Sequence, residues 1–282
     1  MGLGKTLGFI LDHPLNRGRP IAALARFVGW QFQSRLKDEV IVDWIEGVKL
    51  AARHGMTGVT GNIYCGLHEF EDMSFFLHLL RPQDTFVDVG ANVGSYTLLA
   101  SGACGARSIA VEPDAGTIRH LRRNIAINRL ESLVDIRETA IGSANGTIAF
   151  TVGADTMNRV AQEGDHEVQS VAVTSLDELL GSEAPTAIKL DIEGFEAEAL
   201  KGAQATLSNP ALHAIEMETV DPYCEEQLTG NGFSRYAYNP RARSLEEVQS
   251  GRSANSLFVR NEAEVIERLK SAPVRQCMWA HV

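Results

Sequence analysis

The sequence predicts an α/β fold, a mostly parallel sheet with helices on both faces. Three observations point there. Residues 85–99, TFVDVGANVGSYTLL, pass from an apolar β-branched stretch through a glycine turn into a helix-forming segment. Residues 108–114, SIAVEPD, repeat the short apolar strand and end in an acid, Glu112, 24 positions after Asp88. Further on, apolar runs of strand length alternate with helix-length segments, as crossover connections between parallel strands require.

Each element follows from local chemistry. Residues 1–60 read as helical and irregular, with breaks at Pro14 and Pro20. Residues 61–70, GNIYCGLHEF, are a glycine-bounded lead-in, and 71–81 form a helix stopped by Pro82. Strand 85–89, helix 94–102, strand 107–111, helix 115–128 and strand 133–137 come next. The runs GTIAFTV (146–152) and VQSVAVT (168–174) are two further strands that pair beside the main sheet. A short helix at 175–181, strand 186–191, helix 195–207 and strand 212–218 continue the alternation. Strands 233–238 and 255–260 suit an antiparallel pair closing one edge, and 261–270 a last helix. The length allows one large domain with an extension or two small domains. The division adopted is a helical N-terminal extension (1–70), a central domain (71–262) and a C-terminal tail (263–282).

Composition narrows the function classes. A hydrophobic content of 44% and a charged content of 22% are ordinary for a globular protein. The net charge of −10 argues against a nucleic-acid partner, which needs a basic footprint. Arg119, Arg122 and Arg123 have helical spacing and read as a solvated face. Cys65, Cys104, Cys224 and Cys277 form no C-x-x-C pair, so free thiols in a reducing cytoplasm are expected. No signal-peptide pattern is visible, and no apolar run approaches the ~18 residues of a membrane span. Residues 21–32, IAALARFVGWQF, read as an amphipathic helix packed on the domain, with contact to a membrane surface as the alternative. Gly2 to Thr6 imitates the end of a phosphate-binding loop but lacks its first glycine and its strand. Asn145-Gly146 is a hairpin-turn signal rather than a glycosylation site. The polar loop 153–167, with Asn158 and Arg159, either covers a substrate or is plain solvent-facing chain.

The turn after the first strand is the most specific feature. Gly90 and Gly94 allow the backbone to come close to a ligand where a Cβ would clash. Asn92 replaces the middle glycine of the dinucleotide fingerprint, where a pyrophosphate needs close backbone approach. Asp88 places a carboxylate inside the strand end, where it needs a partner. A nucleoside ligand with a cationic centre and no phosphates fits this set, and S-adenosylmethionine is such a ligand. Glu112 can accept hydrogen bonds from both ribose hydroxyls.

VDVGANVGSYTLLA, AVEPD, ETAIGSANGTIAF and IKLDIEGFEAEALKGA together resemble the FkbM-type methyltransferases, over about residues 60–260. The IKLDIEG segment is the most discriminating part. The resemblance implies a Rossmann-like class I methyltransferase fold with a seven-stranded sheet. It implies O-methylation of a hydroxyl using S-adenosylmethionine, on sugars or on polyketides. It implies that Gly90, Asn92, Gly94 and Glu112 line the cofactor, and that Glu69, in the lead-in, faces the methionine end.

Methyl transfer to an alcohol needs alignment of the two reactants and a base for the hydroxyl proton. The carboxyl end of a central strand is the natural place for that base. In AIKLDIEG (187–194), strand alternation puts Lys189, Asp191 and Glu193 on one side. Asp191 is then the substrate-facing base or positioner, held by Lys189 or Glu193; a structural ion pair between Lys189 and Asp191 is the competing reading. Next door, Glu216 and Glu218 alternate with Ile215 and Met217, and are candidates to bind substrate hydroxyls. Two carboxylate strand ends can also hold a divalent cation, but no compact metal-ligand motif occurs and no metal is assigned. His213 reads as a strand histidine near a loop. Two other classes stay open: a nicotinamide-dependent oxidoreductase, and a non-catalytic S-adenosylmethionine-binding module.

Overall fold

In the computed structural model of the chain, residues 2–151, 168–248 and 255–282 are described. Two helices lead, α1 (Leu3–Asp12) and α2 (Pro20–Leu36). A hairpin follows, β1 (Val40–Ile45) and β2 (Val48–Ala52), turning at Glu46 and Gly47, both at positive φ. This hairpin departs from the helical and irregular reading of residues 1–60. Leu50, Ala51 and Ala52 are all buried, so the period of two that marks a strand is blurred in the sequence.

Helices α3 (Thr57–Cys65) and α4 (Phe70–Leu79) lead into β3 (Thr85–Val89). Helix α5 (Ser95–Leu98) continues as a π-helical turn over Leu99–Ala103. Then come β4 (Arg107–Val111), α6 (Ala115–Asn128), β5 (Val134–Arg137), β6 (Ala140–Ile141), β7 (Gly146–Thr151) and β8 (Val168–Thr174). The second half holds α7 (Leu176–Leu180), β9 (Ala187–Leu190), α8 (Glu196–Lys201), α9 (Gln204–Ser208), β10 (Ala214–Met217) and α10 (Pro222–Gly230). It closes with β11 (Ser234–Asn239), β12 (Ser244–Glu247), β13 (Ser256–Val259), α11 (Glu262–Ser271), β14 (Gln276–Cys277) and β15 (Ala280–His281).

The main sheet has the order β12-β11-β13-β10-β9-β3-β4-β5. Strands β5, β4, β3, β9 and β10 are parallel, and the pairings β10–β13, β13–β11 and β11–β12 are antiparallel. This is the Rossmann-like arrangement. The chain leaves β3 towards β4 and β5, then returns to β9 on the other side, so the carboxyl ends of β3 and β9 flank the switch point. The sheet has eight strands rather than seven. The additional one, β12, pairs at the edge beyond β11 and exposes Glu246 and Glu247, the charged edge that discourages further pairing and hides a strand from apolar patterning. Strands β11 and β13 are antiparallel as expected, but β13 lies inside the sheet. The expected helix 195–207 is two helices; the Asp177 carboxylate accepts the Ala205 and Thr206 backbone N–H groups and starts α9 afresh. Helix α10 has no counterpart among the expected elements, although Asp221 caps it through the Cys224 N–H at 2.8 Å and Pro222 opens it.

Central strands bury both faces. Phe86 packs on one side with Phe75, Phe76 and Leu98, while Val87, Val89, Ile109 and Ile188 join Leu200 and Phe258 on the other. Strands β6, β8 and β7 form a separate small sheet, so 146–151 and 168–174 pair beside the main sheet as expected. Asn145-Gly146 is not a tight hairpin turn: it carries the chain from β6 across β8 to β7. Asn158 and Arg159 lie outside the described residues.

The two ends of the chain meet. A third sheet, β15-β14-β1-β2, joins Ile45 to Cys277. The Arg26 guanidinium lies 3.3 Å from the Trp279 ring centre, and the Trp279 indole N–H donates to the Leu15 carbonyl at 3.0 Å. All four cysteines are buried and unpaired with one another. Arg122 pairs with Glu138 and Arg123 with Glu39 on an exposed face. No described helix is long and apolar enough to cross a membrane.

Candidate active site

The carboxyl ends of β3, β4 and β9 open into a cavity of about 510 Å³. Helices α3 and α4 wall one side through Asn62, His68 and Glu69, and the small sheet walls another through Ile141 and Phe150.

The turn after β3 is held by its own backbone. Gly90 and Ala91 N–H groups both donate to the Val111 carbonyl at 3.0 Å. Gly90 has φ +81, and a Cβ there would lie 1.9 Å from the Asp191 carbonyl oxygen. Gly94 has φ +94, and its Cβ would meet Leu121 at 2.6 Å. The expected reason for these glycines was approach to a ligand; the groups that crowd them are the chain's own. Asn92 sits at φ 50, and its side chain accepts the Val93 N–H at 2.7 Å. That contact caps the turn where a pyrophosphate would otherwise meet open N–H groups.

Glu112 ends β4 and lines the cavity. One carboxylate oxygen accepts the Asn92 N–H at 3.0 Å and the other the Asp114 N–H at 2.9 Å. Burial pushes its pKa up to about 7, against these two hydrogen bonds. Each oxygen keeps a further lone pair for a ligand hydroxyl. Asp88 is fully buried and accepts the Thr97 hydroxyl at 2.6 Å. Burial raises its pKa, and the Thr97 bond and the Lys189 charge oppose the rise.

The carboxyl end of β9 departs from the alternation read in the sequence. The strand stops at Leu190, and Asp191 to Gly194 form a turn with Glu193 at φ 50 and Gly194 at φ 85. The turn, rather than the pleat, brings Asp191 and Glu193 together with Glu218 from the end of β10. Carboxylate oxygens of the three lie within 4.8 Å of one another. They are the candidate cation ligands among the described residues, and two of them are exposed. Burial raises the Glu218 pKa to about 7, with repulsion from Asp191 and Glu193 adding to it. Lys189 is buried and donates to Asp191 at 2.6 Å, with its ammonium 4.7 Å from the Tyr96 ring centre. Burial would lower the Lys189 pKa, but Asp191, Glu216 and Glu69 outweigh it and keep the lysine charged.

Glu216 is not where the sequence reading put it. It pairs in register with Lys189 across β9 and β10, is buried, and does not line the cavity. One of its oxygens accepts from the Asn255 amide at 3.3 Å, and the other has no hydrogen-bond partner. Burial, with repulsion from Asp72, raises its pKa well above the usual carboxylate range and the Lys189 charge opposes the rise, so it sits as a buried acid beside Lys189 and does not line the cavity. Glu69 accepts the Tyr96 hydroxyl at 2.6 Å and the Asn255 amide at 3.1 Å, and does reach the cavity. His213 sits at the far, amino end of β10 against Glu264 at 3.3 Å.

Several lining residues escaped the sequence reading. Asn62 ties three segments: its amide donates to Ser95 at 3.1 Å, its oxygen accepts the His68 N–H at 2.8 Å, and Ser95 donates to the Gly58 carbonyl at 3.2 Å. A buried amide inside the apolar lead-in GNIYCG was the available signal.

The model of the methyltransferase FkbM domain matches residues 88–243, from Asp88 at the end of β3 through Glu218 and beyond β11. The chain belongs to this family. Hexuronic acid methyltransferase AglP of Haloferax volcanii is 29% identical over 158 residues, which are 55% of this chain and 64% of that protein. The chain therefore matches less than two thirds of that relative's length. Among solved structures, methyltransferase FkbM from Methylobacillus flagellatus is 19% identical, with a TM-score of 0.44 over 64% of this chain and 44% of the other. Precorrin-6y C5,15-methyltransferase from Geobacter metallireducens is 15% identical, with a TM-score of 0.39 over 68% and 86%. The family match spans all the candidate site residues except Glu69.

Proposed function

We propose that the protein is an S-adenosylmethionine-dependent O-methyltransferase whose acceptor is a sugar hydroxyl, with uronic-acid glycans as the first substrates to test. One observation carries this reading: a buried acid at the end of β4, Glu112, and a converging set of carboxylates, Asp191, Glu193 and Glu218, line the same cavity. The hexuronic acid activity of the Haloferax relative supports the choice of acceptor.

The donor set fits the cofactor. Glu112 has lone pairs left for a ribose, and Asn92 caps the turn that a pyrophosphate would occupy. Glu112, Gly90 and Asn92 would hold the nucleoside end, with Asp88 and Glu69 towards the amino acid end. When bound, S-adenosylmethionine supplies an electrophilic methyl group. The chain's part is to place a hydroxyl and remove its proton. Asp191, fixed by Lys189, orients the acceptor hydroxyl and accepts its proton. Glu218, with a pKa near neutrality, shares that proton within the cluster, and a base is most effective when its pKa lies near the working pH. Glu193 adds a third acceptor for sugar hydroxyls.

Incubation with methyl-labelled S-adenosylmethionine and oligosaccharides ending in a uronic acid tests the reading. Label in the glycan that survives mild alkali marks a methyl ether. Label removed by alkali marks an ester and overturns the O-methylation of a hydroxyl. Saturable NADH binding at micromolar concentration, without S-adenosylmethionine binding, would replace the methyltransferase reading by a nicotinamide enzyme.

A further inference from the structure

Helix α2 is packed on the protein, yet its outward face is apolar. Ile21, Val28, Phe32 and Leu36 are 83%, 62%, 66% and 68% exposed. With Ala25, also exposed, they fall within an arc of about 80° at 3.6 residues per turn. The inward face carries Ala23, Trp30 and Ser34, all buried. The helix is therefore largely apolar on both sides, and among the described residues only the inner side has a partner in the fold. Surface helices ordinarily turn charged and polar groups outward, so the amphipathic expectation for this segment fails on its solvent side. Helix α1, packed beside it, exposes Leu3 as well.

Charge is segregated on the same segment. Residues 2–37 contain six Lys and Arg against the single acid Asp12, whereas residues 38–282 contain 20 basic residues against 35 acidic ones. Lys5, Arg17, Arg19, Arg35 and Lys37 are exposed. Arg19 and Lys37 cap the two ends of α2, and Arg35 borders its apolar arc. A strongly acidic protein is repelled by an anionic surface unless one face is basic. Here that basic face coincides with the unpartnered apolar stripe. An apolar helix face with cationic flanks is the chemistry of a helix lying in the plane of a bilayer interface. Two copies joined through this face would bring two positive segments together.

We propose that α2 docks the protein on a bilayer with anionic headgroups, with Ile21, Val28, Phe32 and Leu36 in the apolar boundary and Arg19, Arg35 and Lys37 among the headgroups. The docked helix is a neighbour of the candidate active site. Helix α2 packs on α3, whose Gly58 and Asn62 line the cavity, and the Phe9 ring of α1 lies 5.0 Å from that of the lining residue His68.

Co-sedimentation of the full chain with vesicles tests the proposal, using phosphatidylcholine alone and phosphatidylcholine mixed with phosphatidylglycerol. Binding to the anionic vesicles is expected to exceed binding to the neutral ones by about tenfold or more, and to collapse at about 0.5 M salt. Val28→Asp with Phe32→Asp should remove at least about tenfold of the anionic-vesicle binding. Arg35→Gln and Lys37→Gln should each cost about fivefold. These positions face solvent, and circular dichroism and the thermal midpoint should match the parent protein. The salt and lipid comparisons use the unaltered chain and hold independently of the variants. Equal partition to neutral and anionic vesicles, or none to either, overturns the proposal. So does a dimer in solution that Phe32→Asp dissociates, because the face is then an interface between copies.

Discussion

Asp191 and Glu218 reach the same point in the cavity from neighbouring strand ends, and Asp191 is paired with a cation, Lys189, at 2.6 Å. A hydroxyl placed between them meets an acceptor fixed by an ammonium and a second carboxyl poised near neutrality. Asp191→Asn keeps the shape and removes the base. It should leave S-adenosylmethionine binding within a few-fold and lower turnover by about 10²–10⁴. Near-native turnover on the true acceptor would make Asp191 structural and move the role to Glu218. The Glu218 pKa of about 7 sets the pH profile. With ionised Glu218 as the proposed active form, kcat/KM should rise with pH up to about 7 and then level off. Glu218→Gln should remove that step; a parent enzyme flat between acid and neutral pH would show that Glu218 takes no part. At the other end of the cavity, Glu112→Ala should weaken cofactor binding by about 1–3 kcal/mol, the scale for hydrogen bonds to a charged group. Calorimetry showing unchanged affinity would remove Glu112 from the site.

At the scale of the elements, the turn after β3 is where backbone geometry is most demanding. Gly90→Ala would put a Cβ 1.9 Å from the Asp191 carbonyl, in a left-handed conformation. Backbone cannot yield as a side chain does. Gly94→Ala meets the flexible end of Leu121 instead. Thermal unfolding should show Gly90→Ala as the more damaging of the two, by about 1–2 kcal/mol. Equal losses would mean that the Asp191 turn shifts freely, and that the link between the two halves of the site is weaker than the contact implies. This link also explains what was legible in the sequence. Strand, glycine turn and acid lie within one short segment, so β3, β4, Gly90 and Glu112 announce themselves locally. The convergence of Asp191, Glu193 and Glu218 depends on a turn after Leu190 and on β10 arriving beside it; residue types foretold the acids but not the path. Glu216 shows the limit. Alternation grouped it with Glu218, but β10 ends at Met217, and the register with Lys189 and the cover from Asn255 seal Glu216 off while Glu218 reaches the cavity. Strands β12 and β2 were hidden for opposite reasons, one too charged and the other too uniformly buried over Leu50, Ala51 and Ala52.

Over the whole molecule, the most distant parts of the sequence are physically joined. Helix α2 rests on the C-terminal strands through the Arg26–Trp279 stack, and β14 pairs with β1. The same contacts lead inward: Trp44 donates to the Gly66 carbonyl, at the turn between α3 and α4 that delivers His68 and Glu69 to the cavity. The N-terminal helices thus meet the last ten residues as well as α3. Trp279→Ala removes the stack and the indole hydrogen bond to Leu15, a loss of about 2–4 kcal/mol. The loss should be local first. Hydrogen exchange should accelerate in α1 and α2 while β3, β4 and β9 keep their protection, since those strands are buried on both faces. Trp279→Phe keeps the ring under Arg26 and should restore most of the protection. If Trp279→Ala leaves α1 and α2 as protected as before, their packing on α3 alone holds them, and the C-terminal strands do not anchor the N-terminal helices.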